Sequence, residues 1–234
     1  MTIEGTNVNQ PKLRMERVVS AMFDQNAYLV WLEGSEEAIV FDPGFEVEPI
    51  FQLVEKHGLK LVAICLTHGH ADHIAGVGAV KKKFPDAPIV IGENEQKLLT
   101  DADLNLSRPM GFPIVAPPAE LTLVDNQIYE VAGLRFRIRE IPGHSPGSVV
   151  FITNGFSPEQ VIAGDVIFSG SVGRTDFPGG SMRRLITGIH EKLLPLPPDT
   201  ILHPGHGPST NVGQEKLTNP YLDLKLVRQM PGQC

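Results

Sequence analysis

A chain of 234 residues that is 41% hydrophobic and 20% charged has the composition of an ordinary globular protein, long enough for one sizeable core. Its formal net charge of −7 argues against nucleic acid as the partner, since neutralising phosphates calls for a basic surface; the one dense basic cluster, Lys81-Lys82-Lys83, reads as a solvated helix end. No segment has the length of a transmembrane helix and Met1 to Asn7 lacks a secretory pattern, so no membrane partner is expected and the expected location is the cytoplasm.

Residues 1–12 are polar and read as a loose N-terminal arm. Strand-like runs follow at Arg17–Met22, Ala27–Leu32 and Ala38–Phe41, the third stopped by the turn Asp42-Pro43-Gly44. Val47–His57 reads as a helix with Gly58 as its stop. Leu61–Leu66 is a continuous apolar run, the pattern of a central strand covered on both faces, and its small thiol Cys65 is expected to be buried and unpaired. The residues after it open a loop and then a helix running toward Phe84. Pro88–Gly92 reads as a strand and Glu93–Leu99 as a short helix, while Ser107–Pro118, with its four prolines, reads as a surface-crossing loop. Leu134, Phe136 and Ile138 alternate with Arg135, Arg137 and Arg139, as in a half-buried strand. Strands Ser148–Thr153 and Gln160–Ala163, helix Arg183–Leu194, strand Thr200–Leu202 and a mostly helical polar stretch over 211–230 complete the chain. This order implies a layered α/β fold, without choosing among such folds.

Five of the eight histidines fall in short motifs that each follow a predicted strand and open a loop. Thr67-His68-Gly69-His70-Ala71-Asp72-His73 places four metal-competent side chains within six residues. Residues i and i+2 of a helix point apart, so His68 and His70 can share an ion only on an extended segment, which Gly69 favours. The others are His144 in Pro142-Gly143-His144-Ser145-Pro146-Gly147, Asp165 after Gln160–Ala163, and His206 in Pro204-Gly205-His206-Gly207. Each of these three alone would be an ordinary turn residue. Together the seven form a nitrogen and oxygen donor set without thiolate, larger than one ion needs and suited to zinc, manganese or iron. A carboxylate shared by two ions would hold them roughly 3.5–4 Å apart, the spacing of two-metal hydrolases. His190, within a predicted helix, reads as structural; His203 is a candidate support for His206.

The motif His-x-His-x-Asp-His at His68–His73, with His144, Asp165 and His206, resembles the metallo-β-lactamase superfamily over nearly the whole chain. Asp42-Pro43-Gly44, Gly164 to Phe168, Gly173-Arg174-Thr175-Asp176-Phe177 and Asn219-Pro220 are most similar to its glyoxalase II-type hydrolases, the hydroxyacylglutathione hydrolase-like group. The resemblance implies an αββα four-layer sandwich of two mixed β-sheets flanked by helices, as one domain over 1–234. Only 28 residues follow His206, so a separate C-terminal glutathione-binding domain is not expected. It implies two divalent ions, zinc first with iron or manganese as alternatives: one on His68, His70 and His144, the other on Asp72, His73 and His206, with Asp165 bridging. Asp72 and Asp165 are the implied catalytic carboxylates, and Arg174 the implied anchor for an anionic part of the substrate, unless it only pairs with Asp176 and shapes its loop. The activity so implied is hydrolysis of a small-molecule thioester, hydroxyacyl-glutathione or a relative, by hydroxide generated between two ions. The alternative is a mononuclear iron persulfide dioxygenase, which shares the fold and a similar Gly-Arg-Thr-Asp-Phe stretch; Pro204-Gly205-His206-Gly207 is the more hydrolase-like feature. Antibiotic hydrolysis is not expected of a chain without an export signal. The sequence does not specify an oligomeric state.

Overall fold

Alternating and continuous apolar runs build two six-stranded sheets in succession along the chain. The computed structural model describes residues 11–223. In the first sheet β1 (Leu13–Ser20), β2 (Gln25–Leu32) and β3 (Glu37–Phe41) form an antiparallel meander. Then β4 (Lys60–Cys65), β5 (Ile89–Gly92) and β6 (Leu121–Leu123) add in parallel in that order. Parallel neighbours require crossovers. These carry α1 (Glu48–Lys56), then α2 (Ala71–Ile74) and α3 (Val77–Lys83), then α4 (Gln96–Thr100) with the proline-rich loop. The second sheet is a meander of β7 (Ile128–Val131), β8 (Leu134–Glu140), β9 (Val149–Thr153) and β10 (Gln160–Gly164). A small hairpin of β11 (Ile167–Phe168) and β12 (Ser171–Val172) and helix α5 (Met182–Lys192) follow. β13 (Ile201–Pro204) then pairs in parallel with β10, and β14 (Thr210–Asn211) closes that edge before α6 (Val212–Thr218).

Three apolar layers hold these elements. Between the sheets Tyr28, Ile39, Phe41 and Ala63 face Phe136, Ile138 and Phe151, all buried. The Phe41 ring sits edge-on to Phe136 and Phe151, with centroids 5.8 and 5.0 Å apart. Burying such a ring contributes about 1.5–3 kcal/mol, and each edge contact about 0.5–1.5 kcal/mol more. Ile50, Val54, Val77 and Val80 of α1 and α3 cover the outer face of the first sheet. Leu185, Ile186 and Ile189 of α5, with Val212 of α6, cover that of the second. The result is the expected αββα sandwich.

The differences from the sequence reading are local. β1 ends at Ser20 instead of Met22, because Asp24 turns the chain at a positive φ of 52°. The helix toward Phe84 is split into α2 and α3, since the Gly76 amide donates to Pro43 O at 2.9 Å in place of a helical partner. The polar stretch 211–230 yields α6 and a 3₁₀ turn at Pro220–Leu222; its residues 224–230 lie outside the described residues, as do residues 1–10 of the N-terminal arm and Cys234. Cys65 is a buried free thiol. Among the described residues no helix is long and apolar enough to cross a membrane.

Candidate metal centre

The seven side chains singled out in the sequence come from strand-end loops at one edge of both sheets and, for Asp72 and His73, from the short helix α2 that opens there. His68 to His73 follow β4, with His70 extended at φ −69°, ψ 153° before α2. His144 lies between β8 and β9, Asp165 follows β10, and His206 follows β13. Ligand atoms of His68, His70 and His144 lie within 4.8 Å of one another, as do those of Asp72, His73 and His206, and those of His68, His73 and Asp165. Asp165 stands between the groups, 3.3 Å from His73 Nε2, 3.4 Å from His144 Nε2 and 3.5 Å from His206 Nε2. Only a glycine fits at position 205: a Cβ there would lie 2.1 Å from Asp165 Oδ1 and 2.6 Å from His73 Cε1.

Three rings are hydrogen-bonded at Nδ1 and a fourth, His73, has Nδ1 at ion-pair distance from a carboxylate, which leaves Nε2 turned toward the cluster. His144 Nδ1 meets Arg174 O at 2.8 Å and His206 Nδ1 meets Phe23 O at 3.1 Å. His73 Nδ1 lies 3.1 Å from Asp42 Oδ2. Thr67 Oγ1 donates to Asp42 Oδ2 at 2.7 Å and therefore accepts from His68 Nδ1 at 3.1 Å. Fixing one ring nitrogen this way sets the tautomer and presents the other as a ligand. His68 Nε2, His73 Nε2 and Asp165 Oδ1 are buried without hydrogen-bond partners. His70 Nδ1 and His144 Nε2 stand 2.9 Å apart. Orphaned buried donors facing one another fit a cation better than an empty cluster.

The electrostatics point the same way. Burial lowers His68 and His144 and takes His70 down to about 3, with neighbouring histidines adding to the fall for His68 and His70; all three are neutral imidazoles near neutral pH. Burial also opposes charge on His73, but Asp72 and Asp165 outweigh it and raise that ring. Asp72 and Asp165 are held below the usual carboxylate range, chiefly by His73, despite burial.

The cluster floors a cavity of about 450 Å³ whose walls include Phe23, Leu106, Met110, Phe168, Val172 and Phe177. Arg174 also lines it, but its guanidinium is engaged by Asp176, with Nε to Oδ1 at 2.7 Å and Nη2 to Oδ2 at 2.6 Å. His203 does not turn to His206; it lies between Gln160 Oε1 at 2.7 Å and Ser209 Oγ at 3.0 Å. His190 meets Leu222 O at 2.9 Å, a structural contact. The sequence reading missed Glu95, a fully buried carboxylate in the 3₁₀ turn before α4. Its Oε2 accepts from Gly69 N at 2.8 Å, and its Oε1 from Ser145 Oγ at 2.8 Å and Gly147 N at 2.6 Å, joining the His68–His73 loop to the His144 loop. The sheets are also joined at this edge: Tyr28 Oη donates to Pro204 O at 2.7 Å, and Asn26 N to Gly205 O at 2.7 Å.

A two-sheet sandwich with this histidine and aspartate cluster at its strand ends defines a class, and the chain belongs to it: it is a metallo-hydrolase of the metallo-β-lactamase superfamily, whose family model matches residues 22–206. It is 36% identical over 216 residues to hydroxyacylglutathione hydrolase GloC of Haemophilus influenzae, a match covering 91% of this chain and all of that one. Among solved structures it resembles BLEG-1, a B3 metallo-β-lactamase, with a TM-score of 0.85 and 37% identity over 90% of this chain and 100% of that one. It also resembles TTHA1623 in a di-iron-bound form, with a TM-score of 0.76 and 38% identity over 88% of this chain and 100% of that one.

Proposed function

We propose that this chain is a binuclear thioester hydrolase of the glyoxalase II type. His68, His70 and His144 would hold one divalent ion, Asp72, His73 and His206 the other, with Asp165 shared. Such ions supply hydroxide near neutral pH and polarise the scissile carbonyl. The protein's part is to turn Nε2 of His68, His73, His144 and His206 toward the metals, with His68 and His144 held neutral by burial, and to keep Asp72 and Asp165 ionised. Zinc is the first choice for this donor set, with iron the alternative that the di-iron form of TTHA1623 brings forward.

One observation carries the thioester reading. Among the described residues the cavity wall offers no Lys, Tyr or Cys, and its carboxylates Asp72 and Asp165 are ionised, so no described side chain outside the metal cluster can protonate a leaving group. A thiolate needs no such proton, since thiol pKa values lie about 8.5, whereas an amide nitrogen does. That favours a thioester over a β-lactam amide, although both GloC and BLEG-1 are similar to this chain. The test is turnover of S-lactoylglutathione, acyl N-acetylcysteamine thioesters and nitrocefin on one sample with its metal content measured. Two ions per chain and thioester turnover that fall together in His70→Ala and Asp165→Asn support the reading. One iron with oxygen uptake, or nitrocefin as the better substrate, would overturn it.

A further inference from the structure

We infer that the cavity above the metal cluster selects thioesters by an uncharged apolar group on the acyl or the thiol side, not by glutathione's carboxylates. This rests on the hydrolase reading above and names its substrate class. The walls begin at the histidines themselves. The Phe177 ring lies 5.3 Å from that of His70 and 6.1 Å from that of His144, and Phe168 lies 5.9 Å from His206. Phe23 faces the same space, with Phe45 stacked at 5.4 Å and Phe112 at 6.4 Å behind it.

Leu106 is the most informative wall residue. It lines the cavity at a φ of 71°, a region that a leucine rarely occupies. Its neighbour Asn105 is buried and fully used. Asn105 Nδ2 donates to Leu98 O at 3.0 Å and Ile114 O at 2.9 Å, and its Oδ1 accepts from Ser107 N at 3.1 Å and Ser107 Oγ at 2.6 Å. Asn105 O in turn accepts from the Ala71 amide at 3.0 Å, beside His70. The loop is thus tied to the cluster, and it holds an isobutyl group over it in a conformation that glycine or asparagine would adopt at lower cost.

Among the described residues no unpaired Lys or Arg reaches the same space. Arg174 is the one Lys or Arg among the described lining residues, and both arms of its fork are closed on Asp176 while its Cζ lies 4.3 Å from the centroid of Phe177. A substrate carboxylate would have to displace a carboxylate tethered two residues away, and a tethered partner has the advantage of effective concentration.

The experiment uses the metal-loaded protein with two homologous series: acyl N-acetylcysteamine thioesters from acetyl to hexanoyl, and S-alkyl thioacetates of matching length. In at least one series kcat/KM rises about threefold per methylene, the gain for burying one such group. Glutathione and N-acetylcysteamine thioesters of one acyl group stay within about threefold of each other. Leu106→Gly lowers the long-to-short ratio about tenfold, the scale of lost pocket contacts, with Tm unchanged or raised. A flat response in both series, a ratio unaltered in Leu106→Gly, or a glutathione advantage above about tenfold that Arg174→Ala removes would overturn the inference. If no thioester is turned over, the hydrolase reading falls by itself, and the cavity is read with the uncharged dye N-phenyl-1-naphthylamine. Saturable fluorescence that Leu106→Asn weakens by about fivefold or more upholds the apolar pocket; no such binding rejects it.

Discussion

Asp42 reaches two of the clustered histidines at once, through Thr67 Oγ1 to His68 and directly to His73. It stands outside the proposed ligand set but biases which nitrogen each ring presents. Asp42→Asn keeps the shape and, like Asp, tolerates the positive φ of 48° at this position, yet its amide can accept only through one oxygen. Metal affinity, measured by competition with a chromophoric chelator, is expected to fall about 10- to 100-fold. The sequence marked Asp42 only as part of a turn that carried the family resemblance; its partners lie 25 and 31 residues away, beyond any local pattern. The His68–His73 motif was legible because four donors within six residues serve no packing purpose. His203 was a candidate support for His206 because it sits beside Pro204, but its strand aims it at Gln160. Burial, helped by Arg17, takes His203 down to about 4. The unfolded chain therefore binds a proton that the folded one refuses between about pH 6.5 and 4, and stability falls as pH drops through that window. Urea unfolding at pH 7.5 and 5 should show a loss about 2 kcal/mol smaller in His203→Gln than in the parent protein.

At the scale of elements, the short 3₁₀ turn Glu93–Glu95 matters more to the site than its length suggests. Among the described residues its Glu95 is the only side chain that hydrogen-bonds both the His68–His73 segment and the His144 loop. Removing it in Glu95→Ala leaves two amides and a hydroxyl without their acceptor, at a cost of about 2–4 kcal/mol. Denaturant melts should show that loss, and metal release by a chelator should quicken, since both loops are freed together. The reading Glu93–Leu99 found a helix here and no function, because a buried glutamate reads as a solvated one until its donors are known. Long apolar strands such as β2, β4 and β9 were legible from continuous or alternating runs, whereas β11, β12 and β14 span two residues each, too short to carry a period. The break between α2 and α3 depends on Pro43 O, a partner from a distant turn.

For the molecule as a whole, the seven clustered side chains come from segments of both sheets, so binding of the proposed metals would be linked to folding. Ligands that bind only the folded state add about 2.7 kcal/mol at a free concentration one hundred times Kd. For a chain of this size that corresponds to roughly 5–10 °C. Stripping the metal with EDTA should lower Tm by that amount and restoring it should raise Tm again; a melt indifferent to both would place the metals elsewhere or nowhere. The four-layer architecture was legible only through the ligand motif, since strand and helix order alone left other layered folds open.

The chain also completes its sheets one after the other: β1–β6 lie before Asp125 and β7–β14 after it. A nascent chain that has emerged as far as Asp125 carries His68, His70, Asp72 and His73 but lacks His144, Asp165 and His206. Each proposed metal position then has two donors, and the apolar face with Tyr28 and Phe41 has nothing to cover it. Tight capture of metal must wait for the second half of the chain to dock, so the time at which a growing or refolding chain becomes chelator-resistant marks the time at which its two sheets close.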